Sequence, residues 1–432
     1  MRVLLVGDGA REHILAEQLA RSSELYVAME EHNPGIESVS QKAYVCDFSN
    51  IEAIGSWAIK EKIDIALVTS EKALAKDLPD ALHECGIALA SPRSAGSVIG
   101  ENTVYAFNLM EAAGIRMPRF FVCKAQKDVT AALKKLPNVV MKPAVRVEWK
   151  GTKIGNKDFK KKKDLMKHAK NLIKRHGSVI LEELVDGESF TVQGFTDGKT
   201  LTVMPPVHAV KRALEGGKGE LTEGMGGYST GKLLPFMKEE DLKYAKSSLW
   251  NLIRVLQSKG VDYRGPIRGE FILSKKGVVM LDVYATLGDV ATLNNFLVLK
   301  TQLGEVVKSI VNRSLRPSSF LDEATVVKYL VPEGYPKKTG GRKSQVVVDE
   351  RELWNNGSKA YVDSLQIRKG KIIPTNERAL AICARGRTIE EADRRVEGAI
   401  ASIEGKLRHR SDIGSKDYIR KSMSHIRKMR GK

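Results

Sequence analysis

The first hundred residues alternate short apolar segments with helical patterns, and this alternation restricts the fold more than any other feature of the sequence. The apolar segments lie at residues 3–6, 25–28, 65–68 and 87–90. A helical pattern covers residues 12–21, directly after the first of them. Such alternation is typical of a parallel sheet with helices packed on its faces. We therefore predict that the chain begins with an α/β domain.

Beyond residue 100 the sequence is rich in strand patterns. They lie at residues 120–122, 139–141, 179–182, 190–195, 201–204, 267–273 and 278–284. With one helical pattern at residues 239–259, this region is interpreted as α+β, built on antiparallel strands. From residue 324 a further set of short strands precedes a helix at residues 389–406, which predicts a small β-rich C-terminal domain. These last strands lie at residues 325–330, 345–348, 364–368 and 379–384.

The net charge of +19 comes almost entirely from two segments. Residues 150–175 carry +9, and residues 406–432 carry +8. Concentrated positive charge favours contact with a polyanion such as RNA or the ribosome. The alternative is a pair of solvated helix faces, because an amphipathic pattern follows the lysine run. The candidate polyanion-binding residues are Lys160, Lys161, Lys162, Lys163, Arg427, Lys428 and Arg430.

The sequence gives no sign of a membrane segment or of a disulfide framework. It has no run of about 18 apolar residues, and it opens directly on a strand pattern, so we expect a cytoplasmic protein without membrane contact. The cysteines lie far apart and show no metal-binding spacing, which predicts reduced thiols. They are Cys46, Cys85, Cys123 and Cys383.

Two glycines, Gly7 and Gly9, stand in the turn between the first strand and the first helix. A dinucleotide-binding fingerprint would place a third glycine at position 12, where this chain has Glu12. The two glycines still allow an anion to approach the helix N-terminus. A tight turn without a ligand explains them equally well.

The segment from Gly7 to His13 resembles the Gly-x-Gly-[Gly/Ala]-Arg-Glu-His opening of the phosphoribosylamine-glycine ligases, which are ATP-grasp enzymes. Further matches occur in family order at residues 33–36, 71, 142–143, 211–213, 224–226, 288–289, 328–336 and 410–414. The resemblance implies a Rossmann-like N-terminal domain, an ATP-grasp core with a lid, a C-terminal domain and a basic tail. The expected bounds are residues 1–100, 101–320 with the lid at about 122–190, 321–415 and 416–432.

The resemblance also implies a reaction. In this family ATP converts glycine into glycyl phosphate, and the amine of phosphoribosylamine attacks it in a step of purine synthesis, with magnesium as the metal. The substrate-binding candidates that the motifs indicate are Gly7, Gly9, Arg11, His13, Lys211 and Arg212. The ATP-binding candidates are Lys142, Lys150, Glu182 and Glu183. Arg11 and His13 have a second interpretation, in which their motif only caps the first helix.

Several family residues on the ATP and metal side are replaced. The glycine-rich loop after Lys142 carries Val145, Glu148 and Trp149 instead of glycines. The family's Ser-Lys pair is replaced by asparagine and threonine at positions 102 and 103, and an asparagine of the loop at residues 219–226 is replaced by leucine. Together these changes remove one positive charge and several close backbone approaches to the phosphates.

The metal-binding motif Glu-x-Asn-x-Arg of the family reads Asp282-Val283-Tyr284-Ala285-Thr286. Asp282 is still a candidate metal ligand, while a phenol at Tyr284 is a poor ligand for a hard cation. Glu270, on the preceding strand, is a second candidate that would form a relocated pair with Asp282. Its alternative is a strand-surface glutamate paired with Arg268 or a lysine.

Two functions are therefore open at the level of sequence. The chain is either a ligase that needs ATP and magnesium and joins glycine to phosphoribosylamine, or an inactive paralogue. In the second case the basic segments would bind RNA, the ribosome or another polyanion. The first hypothesis requires side chains that can hold ATP and magnesium, and the second does not.

Overall fold

The computed structural model describes residues 1–146, 151–337 and 345–431. It begins with a parallel sheet in the order β3-β2-β1-β4-β5, covered by helices as predicted. The elements are β1 (Arg2–Val6), α1 (Ala10–Ala20), β2 (Glu24–Met29), α2 (Pro34–Glu37), β3 (Lys42–Val45), α3 (Ile51–Lys60), β4 (Ile65–Val68), α4 (Glu71–Leu74), α5 (Leu78–Glu84), β5 (Ala88–Leu89) and α6 (Ser94–Glu101). The apolar residues of β1 and β4 are buried on both faces, as a parallel sheet between helices requires.

The next elements form a four-stranded antiparallel sheet in the order β6-β9-β7-β8. They are α7 (Thr103–Ala112), β6 (Phe120–Cys123), α8 (Gln126–Lys135), β7 (Val139–Pro143), β8 (Lys153–Ile154), α9 (Gly155–Asp158), α10 (Lys162–His176) and β9 (Val179–Glu183). The helices α8 and α10 and this sheet enclose a small hydrophobic core of their own. Helix α10 buries Leu165, Ala169 and Leu172 at helical spacing, and it ends at Gly177, whose φ of +75° favours glycine.

A second antiparallel sheet, in the order β11-β10-β14-β15, forms the other wall of the core region. The elements here are β10 (Glu188–Thr196), β11 (Leu201–Val203), β12 (His208–Leu214), β13 (Lys218–Ser229), α11 (Glu239–Ser258), β14 (Gly265–Ser274), β15 (Gly277–Tyr284), α12 (Asp289–Leu297) and α13 (Leu303–Val311), with a 3-10 turn at Glu215–Gly217. Glu270 of β14 and Asp282 of β15 are directly opposed in this sheet. Their side chains therefore lie on the same face.

The last region adds strands to the hairpin β12-β13. Its elements are β16 (Ala324–Pro332), α14 (Glu350–Asn355), β17 (Ser358–Val362), β18 (Leu365–Arg368), β19 (Lys371–Pro374), β20 (Leu380–Gly386), α15 (Ile389–Ile400), β21 (Leu407–Arg408) and α16 (Lys416–Met429). One sheet runs in the order β12-β13-β16-β20-β17, and β21 pairs with β16. This sheet crosses the boundary expected at residue 321, and that boundary stays a prediction.

Several details of the sequence-based prediction differ from the structure. The strands β3, β17 and β19 were not predicted, and the helix predicted at residues 389–406 ends at Ile400. The strand predicted at residues 345–348 is wrong, because Val347 makes only an isolated bridge with Glu404 and has no continuous neighbour. The hairpin β12-β13 was not predicted, because its glycine-rich second strand lacks a regular apolar alternation. The basic end of the chain forms helix α16 and is anchored by Arg430, which contacts Asp241 with two hydrogen bonds of 2.8 Å.

A search of the described residues for membrane-spanning helices found none of sufficient length and apolar character.

Lys328 of β16 is fully buried and lies between two carboxylates of α15. Its ammonium group is 2.6 Å from Asp393 Oδ1, contacts Glu397, and donates to the Ser411 carbonyl at 2.9 Å. A buried ion pair that loses one partner leaves an uncompensated charge behind. The pairing of β16 with the C-terminal helix layer therefore depends on this lysine.

We predict that Lys328→Met lowers the free energy of unfolding by about 3 kcal/mol, because Asp393 loses its cation, while Glu397 keeps its contact with His409. Lys232→Met is the matched control, since Lys232 pairs with Asp322 at the surface and such a pair contributes about 1 kcal/mol or less. Urea unfolding followed by circular dichroism measures both. Equal losses in the two variants would contradict the role assigned to Lys328.

Candidate functional site

A cleft of about 310 Å³ lies where the parallel sheet, the sheet of β14 and the start of α12 meet. Charged side chains dominate its lining, which includes three of the predicted substrate-binding residues, namely Gly7, Arg11 and Lys211. The lining includes Gly7, Arg11, Lys211, Glu223, Arg268, Glu270 and Asp289. We call this space the charged cleft.

The turn from Gly7 to Glu12 is held by its own side chains. Glu12 Oε2 accepts a hydrogen bond from the Gly9 amide at 3.1 Å, and Glu12 Oε1 accepts one from the Thr69 hydroxyl at 2.7 Å. Gly7 has a φ of +140°, and a Cβ atom there would lie 2.6 Å from Glu12 Cγ. The motif therefore needs glycine at this position for steric reasons before any ligand is considered. The capping interpretation of the motif applies to Glu12.

Arg11 joins the N-terminal sheet to helix α12. Its guanidinium group donates to the carbonyl groups of Leu287 and Thr69 at 2.8 Å each and lies 3.1 Å from Asp289 Oδ1. Burial opposes its charge, but Glu12 and Asp289 more than compensate and raise the pKa of Arg11. Arg11 stays fully charged at the edge of the charged cleft.

His13 points away from the charged cleft and towards β17. Its Nδ1 atom accepts a hydrogen bond from the Val362 amide at 3.0 Å, and its ring meets the edge of Tyr361. Gly35 packs directly on the ring, where a Cβ atom would clash with it. Burial lowers the pKa of His13 to about 4. The contacts of His13 thus support the packing of the fold. The sequence motif did not indicate that Arg11 would line the charged cleft and that His13 would not.

Lys211 and Glu270 form an ion pair in the lining of the charged cleft. Lys211 Nζ lies 3.0 Å from Glu270 Oε2, which also accepts from the Thr191 hydroxyl at 3.2 Å, and Arg268 Nε lies 3.7 Å from the other oxygen. Burial alone would raise the pKa of Glu270, but Lys211 and Arg268 hold it below its usual value. The surroundings of Glu270 match its alternative interpretation, a glutamate paired with Arg268 and a lysine.

Arg212 lies next to Lys211 in sequence but serves a different contact. Its guanidinium group is 2.7 Å from Asp158 Oδ1 and donates to the Gly219 carbonyl at 2.7 Å. Asp158 ends helix α9, which belongs to the predicted lid region. Arg212 therefore links the lid region to the hairpin β12-β13.

The predicted ATP-binding residues that the structure describes lie on the neighbouring strands β7 and β9. We call the sheet β6-β9-β7-β8 the lid sheet, because most of it falls in the predicted lid region. Lys142 Nζ is 3.0 Å from Glu182 Oε2 and 3.4 Å from Asp282 Oδ2, and it donates to the Leu281 carbonyl at 3.1 Å. Glu183 lies at the surface, 2.9 Å from Arg119. Lys150, together with Glu148 and Trp149, falls outside the described residues. Lys142 would have to leave its protein partners in order to reach a phosphate.

Arg146 is the residue of this region that the motifs did not indicate. Its guanidinium group forms an ion pair with Asp282 and donates to the carbonyl groups of Val283 at 2.7 Å and of Ile99 and Gly100 at 3.0 Å. It also lies over the ring of Tyr284, 4.4 Å from the centroid. Both terminal nitrogens of Arg146 are thus engaged at the end of β15, where the family motif places its metal ligands.

Other replaced positions on this side serve local structure. The Thr103 hydroxyl donates to the Pro143 carbonyl at 3.0 Å, so it points to the end of β7. The Thr286 hydroxyl donates to Glu71 at 3.0 Å. Neither side chain supplies the positive charge of the family residue that it replaces.

Family models for three domains of one enzyme family together match most of the chain. They are "Phosphoribosylglycinamide synthetase, N domain" at residues 1–100, "ATP-grasp (A) domain" at residues 101–292 and "C domain" at residues 325–416. Phosphoribosylamine-glycine ligases of Methanosarcina barkeri and Methanocaldococcus jannaschii are 34% and 33% identical to it, each over the full length of both chains. The chain belongs to the phosphoribosylamine-glycine ligase family.

Solved structures of low sequence identity share the fold. The phosphoribosylamine-glycine ligase of Thermotoga maritima has a TM-score of 0.79 at 20% identity and covers 96% of this chain and 100% of its own. The N5-carboxyaminoimidazole ribonucleotide synthetase of the same organism has a TM-score of 0.65 at 16% identity and covers 94% and 99%. These likenesses support the predicted ATP-grasp architecture, with its parallel N-terminal sheet and its β-rich C-terminal region.

The residues at the family's metal position do not fit a magnesium ion. Mg²⁺ needs several oxygen ligands in octahedral geometry. Here one oxygen of Asp282 contacts Arg146, the other faces Lys142, and the neighbouring ligand position holds Tyr284. Within the described residues, no group of three or more His, Cys, Asp or Glu side chains is placed to hold a metal. Glu270 and Asp282 share a sheet face, but separate cations neutralise them.

The predicted polyanion-binding residues divide into two groups. Lys160, Lys161, Lys162 and Lys163 are all exposed at the start of α10, and Arg427 and Lys428 are exposed on α16. Arg430 is half-buried and donates hydrogen bonds to Asp241, so it is less exposed than the other six candidates. Six of the seven candidates therefore lie open to solvent.

We predict that the His13 ring titrates near pH 4 in NMR spectra of the native protein, because the buried ring favours its neutral form. Its unfolded pKa is near 6.5, so the unfolded chain binds more protons between these two values. Stability should therefore rise with pH from about 4 to about 6.5, by roughly 3 kcal/mol from this residue. His13→Gln should remove that part of the slope, with His83→Gln, at an exposed position, as the control. Titration near pH 6.5 would contradict the assigned burial.

Proposed function

We propose that this chain does not carry out the ligation of its family and instead binds a polyanion, with RNA or the ribosome as the expected partner. The observation that carries the proposal is the ion pair between Arg146 and Asp282 at the family's metal position. It is joined by the exposed lysines at the start of α10. Lost metal binding and gained positive charge then belong to one change of function.

The energetic argument starts from the contacts of Arg146. A metal at this position would require Asp282 to exchange its guanidinium partner, and Arg146 would also have to leave three backbone carbonyl groups. Catalysis of phosphoryl transfer depends on a preformed arrangement of charge around the phosphates. An arrangement in which the carboxylate is already paired with an internal guanidinium group must first be rearranged, and this need weakens that step.

The binding argument rests on the position of the charge. Helix α10 buries its apolar stripe against the lid sheet and exposes lysines on the remaining surface. The lysine run precedes and begins this helix, so these ammonium groups form one continuous basic surface. Such a surface attracts phosphates without reading base sequence. The expected binding is therefore electrostatic and weakens as salt rises.

Retained ligation is the second candidate, and the charged cleft favours it. Arg11 and Lys211 keep the positions indicated by the family motifs and both reach this cleft. If ligation is retained, ATP and magnesium are the cofactors and glycine and phosphoribosylamine the substrates. This candidate requires Arg146 to move away from Asp282 when the nucleotide binds.

We predict that the purified chain, given magnesium-ATP, glycine and freshly made phosphoribosylamine, forms neither ADP nor glycinamide product above background. The Methanocaldococcus jannaschii relative, assayed in parallel, controls for the quality of the unstable amine. The variant Arg146→Ala tests whether this arginine keeps a metal ion from binding Asp282. Turnover at the relative's rate, abolished by Lys211→Ala, would contradict the proposal and establish the second candidate.

We further predict that the chain binds a short single-stranded oligouridylate at about 50 mM salt and that affinity falls steeply as salt rises. Replacing residues 160–163 by four glutamates should weaken binding at least tenfold and reduce the salt slope by about 3. The matched control carries the same charge change at four exposed lysines away from α10, namely Lys243, Lys246, Lys275 and Lys276. Absence of binding at low salt, or equal loss in both variants, would refute the RNA proposal.

A further inference from the structure

A second hollow of about 410 Å³ shares no lining residue with the charged cleft. It opens between helix α1, the end of α12, the strands β17 and β20, and helix α15, with Trp354 at its edge. A shallower hollow of about 360 Å³ continues on the other side of Trp354, towards Arg394. We call the two together the Trp354 hollow. Its size is that of small-molecule sites, which measure about 300–1000 Å³.

Trp354 is 77% exposed, although it is the largest apolar side chain of its helix. Helix α14 is nevertheless firmly placed, because Asp349 caps it by accepting from the amides of Arg351 and Glu352, and Leu353 is buried beneath it. The exposed indole is therefore presented on an ordered element. An open aromatic face on an ordered helix is available for stacking against a planar ring.

The charge around the hollow is positive. Five cations line it, and among the described residues no carboxylate does. They are Arg21, Lys359, Arg385, Arg394 and Arg395. Carboxylates behind the lining pair with three of these cations, namely Glu17 with Lys359, Glu323 with Arg385 and Glu391 with Arg395. Five cations against three carboxylates leave a local excess of two positive charges.

Arg395 is held in place before any ligand arrives. It donates to the Arg385 carbonyl and to Glu391, both at 2.7 Å, and it packs over Gly357. Gly357 has a φ of +61°, which favours glycine where the chain turns after α14. The arginine is thus ordered beside the open indole, and binding would not have to immobilise it.

The inner wall of the hollow is mainly apolar with a few polar groups. Phe296, Leu297 and Leu299 form one side, and Tyr361 and Cys383 lie at the buried end. Gln18 is positioned there by a hydrogen bond of 3.3 Å to the Phe296 carbonyl. A planar ring fits beside such a wall, while an anionic group fits at the arginine-rich rim.

We propose that the Trp354 hollow binds a nucleoside phosphate, with the base stacked on Trp354 and the phosphate near Arg394 and Arg395. Indole and arginine side by side match the two parts of that ligand, because every base has a π-face and every phosphate is an anion. The ligand is either a free mononucleotide or an unpaired nucleotide within an RNA strand. The site uses none of the residues of α10 or of the charged cleft, so it does not depend on the proposed function.

Two probes test the proposal with the full chain at about 50 mM salt. AMP and a short single-stranded oligoadenylate are titrated while tryptophan fluorescence is recorded, and equilibrium dialysis gives the dissociation constants. Trp354→Ala should weaken binding by roughly 5- to 100-fold, whereas Trp354→Phe, which keeps an aromatic face, should recover most of it. Trp250→Phe is the fluorescence control, and quenching should persist in it. Arg394→Gln should weaken both probes, with the exposed Arg254→Gln as its matched control.

The outcomes are distinct. Binding of AMP with affinity comparable to the oligonucleotide identifies a mononucleotide site. Binding of the oligonucleotide alone supports the proposal when Trp354→Ala weakens it, because that loss places an unpaired nucleotide of the strand at Trp354; oligonucleotide binding that Trp354→Ala leaves unchanged overturns the proposal. Glutamates at residues 160–163 should leave AMP binding unchanged, which separates this site from the basic surface of α10. The proposal is overturned if neither probe binds, or if Trp354→Ala binds both as well as the unaltered chain. It is also overturned if a dimer that dissociates in Trp354→Ala shows that a second copy covers the indole.

Discussion

The carboxylate of Asp289 is the group on which the arrangement of this molecule depends. It lies 3.1 Å from Arg11 of the first helix and 2.5 Å from Arg378, which precedes β20. Burial alone would raise its pKa, but the two arginines lower it to about 2. Arg378 also contacts Asp363 at 3.0 Å, and Asp363 accepts from the Ala10 amide. Because a buried charge without a partner is expensive, these ion pairs fix the N-terminal sheet, α12 and the C-terminal strands in one geometry.

The same principle explains the two sides of the family's active-site region. In the charged cleft, buried cations and anions alternate and hold the surrounding elements together, yet they still line an open space. On the ATP and metal side, Asp282 pairs with Arg146 and Lys142, and Glu182 pairs with Lys142, although burial still raises the pKa of Glu182. Internal satisfaction of charge stabilises the fold but leaves less electrostatic capacity for a nucleotide and its metal. Structure and function therefore compete for the same few side chains.

Most of the architecture could be predicted, because hydrophobic periodicity and glycine positions are local properties of the sequence. The segment at residues 65–68 is a buried parallel strand as predicted, and Gly7 is explained by its positive φ. Charged contacts between distant segments could not be predicted in this way. The capture of Asp282 by Arg146 spans more than a hundred residues, and His13 and Arg11 look equivalent in the motif although they face opposite sides. Trp354 carries no motif and becomes conspicuous only when its exposure is known.

The sheet that joins β12 and β13 to β16, β20 and β17 makes β13 depend on a strand that is synthesised much later. The inner strand β13 pairs with β12 on one side and with β16 on the other. If the chain were cut near residue 320, β13 would become a bare edge with unpaired amide and carbonyl groups, and such edges recruit strands from other molecules. A nascent chain released from synthesis before β16 would therefore be prone to aggregation.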